Sequence, residues 1–183
     1  MFIRTERLFL RPAWAEDAPA VTAQIADWDV IRNLARARWP YTLDDAAAFC
    51  SGAVLAARES AFLIFSRTDS DPQLIGAIGV GPVRDADDVE LGYWLGRAHW
   101  GKGYAVEAGQ AVLHLAFDGL RHSRVSAGHF VDNPASGKVL MRLGFVPTGE
   151  ITVRPCQARG RAMPTVEYAL SRQQWAQDYC VAA

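Results

Sequence analysis

The sequence predicts a mixed α/β fold in which a mostly antiparallel sheet is flanked by helices. Three strand-like apolar runs, residues 62–66, 74–83 and 89–95, follow one another through short aspartate-rich turns, which favours an antiparallel meander. Two helical patterns then alternate with strand patterns in the second half, as in proteins with a mixed sheet. Half of the 183 residues are hydrophobic, so residues 1–183 can form a single domain around a large core.

The first third of the chain contains one strand and two helices by pattern. Phe2–Leu10 reads as a strand, and Pro12 ends it because proline cannot donate a hydrogen bond to a sheet. A helix is predicted to start at Glu16 and to run through Trp28. Thr42 is a cap residue with acids in the following turn, which predicts a second helix to about Arg58. The turns of the meander are predicted at residues 69–72 and 85–88.

The second half begins with a helix over Tyr104–Leu120, where apolar residues recur at helical spacing. Asn133-Pro134 opens another helix, since proline suits the first helical position, and Gly144 is placed to end it in a left-handed cap. An irregular basic loop is predicted at Arg154–Met163. The remaining predicted elements are strands at residues 124–130, 145–153 and 165–170 and a short helix at 172–179.

Composition excludes several classes of protein. A formal net charge of −1 does not provide the basic surface of a general nucleic-acid binder. The apolar runs are too short to cross a bilayer, and charges near Met1 break the pattern of a signal peptide. The three cysteines are widely separated, so we expect a reducing, cytoplasmic environment. The four histidines show no metal-ligand spacing, and we expect no metal site.

The most informative segment runs from Tyr93 to Ala108. It reads as a buried strand that passes through a turn containing Gly101 and Gly103 directly into a helix. Free N–H groups and the helix dipole at such a terminus suit a phosphate or diphosphate. A plain strand-to-helix connection is the simpler interpretation, but the flanking Lys102 favours phosphate binding. The segment is neither a P-loop nor a dinucleotide fingerprint.

Taken with the helix after Asn133, this turn resembles the Gcn5-related N-acetyltransferase (GNAT) family. Residues 100–105 match the family's cofactor motif, Gln/Arg-x-x-Gly-x-Gly/Ala, at its last two defined positions. Residues 133–145 resemble the helix that follows it, and residues 4–8 and 90–95 resemble the ribosomal-protein-alanine (Rim-type) branch. The resemblance spans nearly the whole chain and implies a GNAT-like sheet whose central strands splay apart.

The resemblance implies acetyl-CoA as co-substrate and assigns residues to it. The amides of residues 101–106 are expected to hold the diphosphate, and the pantetheine arm is expected to lie along the strand before them. A backbone N–H near Leu95 is placed to polarise the acetyl carbonyl. The expected cofactor-binding residues are Tyr93, Trp94, Leu95, Trp100, Gly101, Lys102, Gly103, Tyr104, Ala105, Val106 and Asn133. Taken alone, Asn133 is equally explained as a helix cap.

The same resemblance suggests two catalytic residues. Glu90 lies where the family has an acid near the acceptor amine, and we expect it to act as base, although a solvent-facing glutamate is the simpler alternative. Leu140 stands where many members carry a tyrosine used as general acid. In the Rim-type branch a serine at the position of Ser136 is implied instead.

The acceptor is the least determined part of the sequence prediction. The Rim-type resemblance points to a protein N-terminal α-amine, including that of a ribosomal protein, and the wider family includes enzymes for small amines. Arg154, Arg159 and Arg161 favour an acidic acceptor, or are simply a basic surface. A non-catalytic acyl-CoA sensor is a further alternative, and a homodimer is expected by analogy.

Overall fold

The computed structural model describes residues 1–51, 60–67, 71–82 and 89–180, and within these ranges the chain forms one eight-stranded mixed sheet. The strands are β1 (Ile3–Arg4), β2 (Leu8–Arg11), β3 (Ser60–Ser66), β4 (Gln73–Pro82), β5 (Val89–Leu95), β6 (Arg124–Phe130), β7 (Val146–Cys156) and β8 (Arg161–Ser171). Their order across the sheet is β1-β2-β3-β4-β5-β6-β8-β7. Within the described ranges, β5 and β6 form the one parallel pair.

Helices cover both faces of the sheet. They are α1 (Ala18–Ile25), α2 (Trp28–Ile31), α3 (Leu43–Cys50), α4 (Tyr104–His114), α5 (Pro134–Arg142) and α6 (Arg172–Cys180). Residues of α1, α2 and α3 bury apolar side chains against one face, and those of α4, α5 and α6 against the other. We call these the α1/α3 face and the α4/α5 face.

The helix ends are formed by the residues that the sequence indicated. Thr42 accepts a hydrogen bond from the amide of Asp45, whose carboxylate accepts one from the Thr42 amide in return. Asn133 caps α5. Gly144 has φ +87°, and the Phe145 amide donates to the carbonyl of Leu140, which closes the last turn of α5. These predictions are confirmed because each depends on neighbouring residues only.

The predicted antiparallel meander is confirmed for β3, β4 and β5. Two glycines of β4 allow close packing there: a side chain at Gly76 would collide with the Trp94 carbonyl, and one at Gly79 with the Ser60 carbonyl. The β3–β4 register also shifts between Ile64 and Phe65, which is the mark of a β-bulge or a similar irregularity.

Two predicted boundaries in the first half of the chain are wrong. The strand predicted over Phe2–Leu10 is instead the hairpin of β1 and β2, because the chain turns where the Thr5 amide donates to the Leu8 carbonyl. The helix predicted from Glu16 ends at Ile25, and Asp27 caps a separate short α2. By contrast, the helix predicted over Tyr104–Leu120 is confirmed: it is an α-helix to His114 and continues as one π-helical turn, Leu115–Gly119.

The irregular basic loop predicted at Arg154–Met163 is also wrong. Strands β7 and β8 continue through it as a hairpin, with Arg154 opposite Met163 and only residues 157–160 left as the turn. Pairing with β8 overrides the weak strand pattern of this basic segment. The predicted helix end near Arg58 and the turn at residues 85–88 lie outside the described residues, as do residues 69–70 of the other turn.

Among the described residues, no helix combines the length and the apolar character that crossing a bilayer requires.

Candidate active site

The glycine turn before α4 has the backbone that the sequence predicted. Gly101 has φ +73° and Gly103 has φ +82°, a left-handed conformation that side chains disfavour. In the described structure, the amides of residues 101–105 donate no hydrogen bond to the protein, and the first intrahelical donors are Val106 and Glu107. A side chain at Gly101 would meet no atom within 4 Å, so the turn opens to solvent. The turn is therefore available to an anion.

The side chains around the turn divide into buried supports and exposed groups. Tyr104 and Ala105 are buried and anchor the first turn of α4 in the core, while Val106 is half-buried. The Trp100 indole donates to the Leu95 carbonyl over 2.8 Å and so ties the turn to the end of β5. Lys102 is exposed beside the turn. Trp100 thus acts on the backbone of the turn, a contact that no sequence pattern indicated.

Glu107, in the first turn of α4, connects this helix to the N-terminal hairpin. Its carboxylate accepts hydrogen bonds from the Thr5 hydroxyl at 2.5 Å, the Arg7 amide at 2.8 Å and Arg7 Nε at 2.7 Å. Burial is the largest single influence and raises the pKa of Glu107, but the hydrogen bonds and the Arg7 charge together bring it below its usual value. Sequence reasoning missed Arg7 because about a hundred residues separate the partners.

A gap opens between the two parallel strands. β5 and β6 pair at Val89–Val125 and Glu90–Ser126 and then diverge. Tyr93, Trp94 and Leu95 of β5 therefore pair with β4 on one side and, among the described strands, with none on the other. The splay that the family resemblance implied is confirmed, and its open edge ends at the glycine turn.

On the α4/α5 face, Tyr93 and Ser136 meet across this gap. Their hydroxyl oxygens are 2.7 Å apart, and Asn133 accepts a hydrogen bond from the Ser136 amide. Burial raises the pKa of Tyr93 to about 12, against the opposing effect of the Ser136 hydrogen bond, so the phenol is neutral near pH 7. Leu140, one turn further along α5, is 1% exposed and lies in the core. The structure thus adds a phenol from β5 beside the serine.

Glu90 belongs to a charged cluster built by three strands. Arg154 Nη1 lies 2.6 Å from Glu90, while its Nε and Nη2 donate to Glu167 over 2.8 and 2.5 Å. Thr152 also donates to Glu167. Although burial lowers the pKa of Arg154, the hydrogen bonds and charges of the two glutamates raise it above its usual value. Glu90 is therefore held in place rather than free in solvent.

The two candidate catalytic groups lie on opposite faces of the sheet. Tyr93 packs with the α4/α5 cluster and Trp94 with the α1/α3 cluster, as the alternation of a strand requires. Glu90 shares the orientation of Trp94. The gap between β5 and β6 connects the two faces, so a molecule placed in it can be reached by Glu90 from one side and by Ser136 from the other.

This arrangement can be compared with known proteins. Residues 7–146 match the family described as "Acetyltransferase (GNAT) domain".

The chain belongs to the GNAT acetyltransferase family.

Relatives of this GNAT chain agree with that assignment. It is 30% identical over 178 residues to the uncharacterized N-acetyltransferase p20 of Bacillus licheniformis, covering 94% of this chain and 97% of that protein. It is 34% identical over 89 residues to the ribosomal-protein-serine acetyltransferase of Escherichia coli, covering 48% of each protein. The prediction of an acetyltransferase with Rim-type relatives is confirmed.

Solved GNAT structures share the fold. An acetyltransferase from Bacillus anthracis superposes with a TM-score of 0.80 at 24% identity, covering 94% of this chain and 99% of the other. A ribosomal L7/L12 alpha-N-protein acetyltransferase in complex with coenzyme A gives a TM-score of 0.75 at 22% identity, with coverages of 93% and 98%. The predicted GNAT-like α/β fold is confirmed.

The assignments of individual residues remain predictions after these comparisons. The structure brings the residues expected to bind the cofactor together along β5, the turn and the start of α5. Trp28 and Trp39 pack against each other edge to face, and both are about half exposed.

Proposed function

We propose that this GNAT protein transfers the acetyl group of acetyl-CoA to the α-amine at the N-terminus of a protein or peptide. One observation carries the proposal: the β5–β6 gap ends at a turn of free amides and is flanked by Glu90 on one face and Ser136 on the other. A phosphate-bearing acyl donor and an amine acceptor both find matching groups there.

The turn suits the diphosphate of coenzyme A. The unpaired amides of residues 101–105 offer several donors at a helix N-terminus, and Lys102 adds a positive charge. The open edge of Tyr93–Leu95 offers backbone groups to the amides of the pantetheine arm, as an added strand would use them. Support comes from a neighbour of the same fold that was solved with coenzyme A.

The chemistry is direct attack of a neutral amine on the thioester. A free α-amine has a pKa of ~7.7–8.0, so most of it is protonated near pH 7. Glu90 accepts the amine proton, directly or through water, as the C–N bond forms. The C–S bond then breaks, and the departing sulfur takes a proton from the hydroxyl pair of Ser136 and Tyr93.

Two hydroxyls that share a hydrogen bond use one O–H between them. When Tyr93 donates to Ser136, the serine O–H stays free for a third group. In the reverse arrangement the Tyr93 O–H remains, and it can also donate to the Ser136 carbonyl at 3.5 Å. Proton transfer contributes ~10²–10⁴-fold, whereas aligning the two substrates supplies ~7–11 kcal/mol. By binding and aligning the two substrates, the turn and the open strand edge together therefore contribute more to the total rate enhancement than either proton carrier.

The charges near Glu90 favour a cationic acceptor over an acidic one. Two carboxylates, Glu90 and Glu167, surround the single guanidinium of Arg154. Arg159 is likewise paired, with Asp132 at 2.6 Å. These pairs remove most of the basis for the acidic acceptor that the arginines suggested. The ribosomal-protein-serine acetyltransferase among the relatives supports a protein acceptor.

The test is thiol release from acetyl-CoA with a panel of peptides that differ at the first residue. We expect release and an increase in peptide mass for free N-termini, and none for the same peptides with a blocked N-terminus and an internal lysine. Release with the blocked peptides would refute the α-amine assignment. Coenzyme A binding without turnover of any amine would favour the non-catalytic sensor.

A further inference from the structure

Arg7 lies beneath the glycine turn and contacts it at several consecutive points. Its Nη1 donates to the Lys102 carbonyl over 3.0 Å and its Nε to Glu107 over 2.7 Å. The guanidinium carbon is 4.9 Å from the centre of the Tyr104 ring. The other terminal nitrogen, Nη2, is 3.4 Å from where a Gly103 side chain would begin. One side chain from the N-terminal hairpin thus spans the turn and the first helical turn after it.

The contact with Lys102 fixes the orientation of a peptide group in the turn. The peptide between Lys102 and Gly103 is trans, so its C=O and N–H point in opposite directions. Because Arg7 holds the carbonyl, the Gly103 amide points away from Arg7. A glycine with φ +82° has few steric limits of its own on this orientation, so the hydrogen bond from Arg7 supplies the restraint.

The remaining contacts hold Arg7 itself. The Glu107 carboxylate accepts hydrogen bonds from the Arg7 amide and from Arg7 Nε, and the Thr5 hydroxyl donates to the same carboxylate. The Arg7 side chain is 41% exposed and Glu107 is 15% exposed, so water weakens the ion pair only in part. Arg7, Gly103 and Glu107 also line one open cavity of about 660 Å³. The guanidinium is therefore in a fixed place next to space that a ligand can occupy.

We propose that Arg7 is a positioning residue for diphosphate binding: it orients the Lys102–Gly103 peptide so that the Gly103 amide faces the ligand. The inference rests on the proposed function, since it assumes that the turn binds coenzyme A. This proposal gives the N-terminal hairpin a role in cofactor binding, although the hairpin is distant from the turn in sequence. Arg7 acts through the peptide and not by touching the phosphates.

Calorimetry with three ligands tests this role: coenzyme A, dephospho-coenzyme A, which keeps the diphosphate but lacks the third phosphate, and pantetheine, which lacks all phosphates. Removing two hydrogen bonds from a charged group should weaken binding about tenfold in Arg7→Gln. We expect this loss for coenzyme A and dephospho-coenzyme A equally and no change for pantetheine. Arg7→Lys, which keeps the charge but not the fork of donors, should show a smaller loss of the same kind.

A matched control is Arg67→Gln. Arg67 also supports the hairpin, donating to the carbonyls of Thr5 and Glu6, but it makes no contact with the turn. This variant should keep wild-type affinity for all three ligands, while its thermal unfolding reports any general weakening of the hairpin.

Several outcomes would overturn the inference. Wild-type affinity in a folded Arg7→Gln variant would show that the peptide needs no such restraint. A loss confined to coenzyme A would make Arg7 a direct ligand of the third phosphate. An equal loss in Arg67→Gln would assign the effect to the hairpin as a whole. If the wild-type protein binds none of the phosphorylated ligands, the proposed function fails as well, so the two failures are distinguishable.

Discussion

The two ends of the β5–β6 gap present different kinds of polar group: backbone amides at one end and charged side chains at the other. The turn at residues 101–105 presents backbone amides, and its side chains serve mainly to hold that backbone. The cluster around Glu90 presents side-chain charges from three strands, each neutralised in part by the next. Backbone donors have a fixed charge and geometry, whereas paired carboxylates change with protonation and with the loss of one partner. Changes at the first end should therefore affect binding, and changes at the second should affect the rate.

The largest effect should come from Glu90→Gln. Removing the base while keeping its shape should lower kcat by about 10²-fold, the lower end for acid–base catalysis. Affinity for coenzyme A should stay nearly unchanged, because Glu90 lies away from the turn. Steady-state kinetics with an accepted peptide and calorimetry with coenzyme A measure the two effects. Glu150→Gln, at an exposed site on β7, is the control, and lost cofactor binding in Glu90→Gln would contradict the comparison.

Gly103→Val should give the next largest effect. It acts at the glycine turn and should change the affinity for coenzyme A. A branched side chain at φ +82° is strained by about 1–3 kcal/mol and would distort the turn. We expect affinity for coenzyme A to fall about tenfold or more. Gly160→Val introduces similar strain at φ +61° in the β7–β8 turn, so it should lower stability without altering affinity. Wild-type affinity in Gly103→Val would count against the amide cradle.

A smaller effect is expected for Tyr93→Phe. The variant keeps the ring that packs against the core but leaves Ser136 without its hydroxyl partner. Losing one neutral hydrogen bond, about 1 kcal/mol, should lower kcat about fivefold. The buried Tyr168, whose hydroxyl is 3.3 Å from His129 Nε2, provides the control variant Tyr168→Phe. Equal rates in both variants would remove Tyr93 from the proton-donating pair.

The smallest effect near pH 7 is expected for the contribution of Glu107 to stability. Its pKa is lowered in the folded protein, so its stabilising contribution is complete above its unfolded value of about 4.3 and is lost as the pH falls through the lower folded value. Between pH 7 and pH 5 we expect no loss of stability from this residue. Acid unfolding followed by circular dichroism should show a shallower pH dependence below about pH 4 in Glu107→Gln. An unchanged slope would mean that the Arg7–Glu107 contact contributes little.

The parts of the site that depend on local backbone conformation could be predicted from the sequence, and those that depend on long-range side-chain contacts could not. Gly101, Gly103 and the cap at Asn133 depend on the conformation of neighbouring residues, and the sequence indicated each of them before any contact was known. Glu107 differs from these residues, because an acid in the first turn of a helix is common and no neighbouring residue indicates a further role. Its partners in the N-terminal hairpin are separated from it by about a hundred residues, and no periodicity links them.

The hairpin of β7 and β8 is a second feature that the local sequence did not predict. Residues 154–163 looked like an irregular basic loop because three arginines and Pro155 weaken the strand pattern. In the fold, the partly buried Arg154 pairs with two glutamates, and pairing with β8 supplies the hydrogen bonds that define the strand. Its charge marks an internal ion pair and not a basic surface.

By itself, the sequence determined the class of fold, most of the elements and the glycine turn, because periodicity, caps and left-handed positions are properties of short segments. Only the tertiary structure decided that Arg7 supports that turn, that Tyr93 meets Ser136 and that Arg154 holds Glu90. These contacts join residues 43 to 95 positions apart. They form only once the strands are in register and the helices are packed, so no local pattern encodes them.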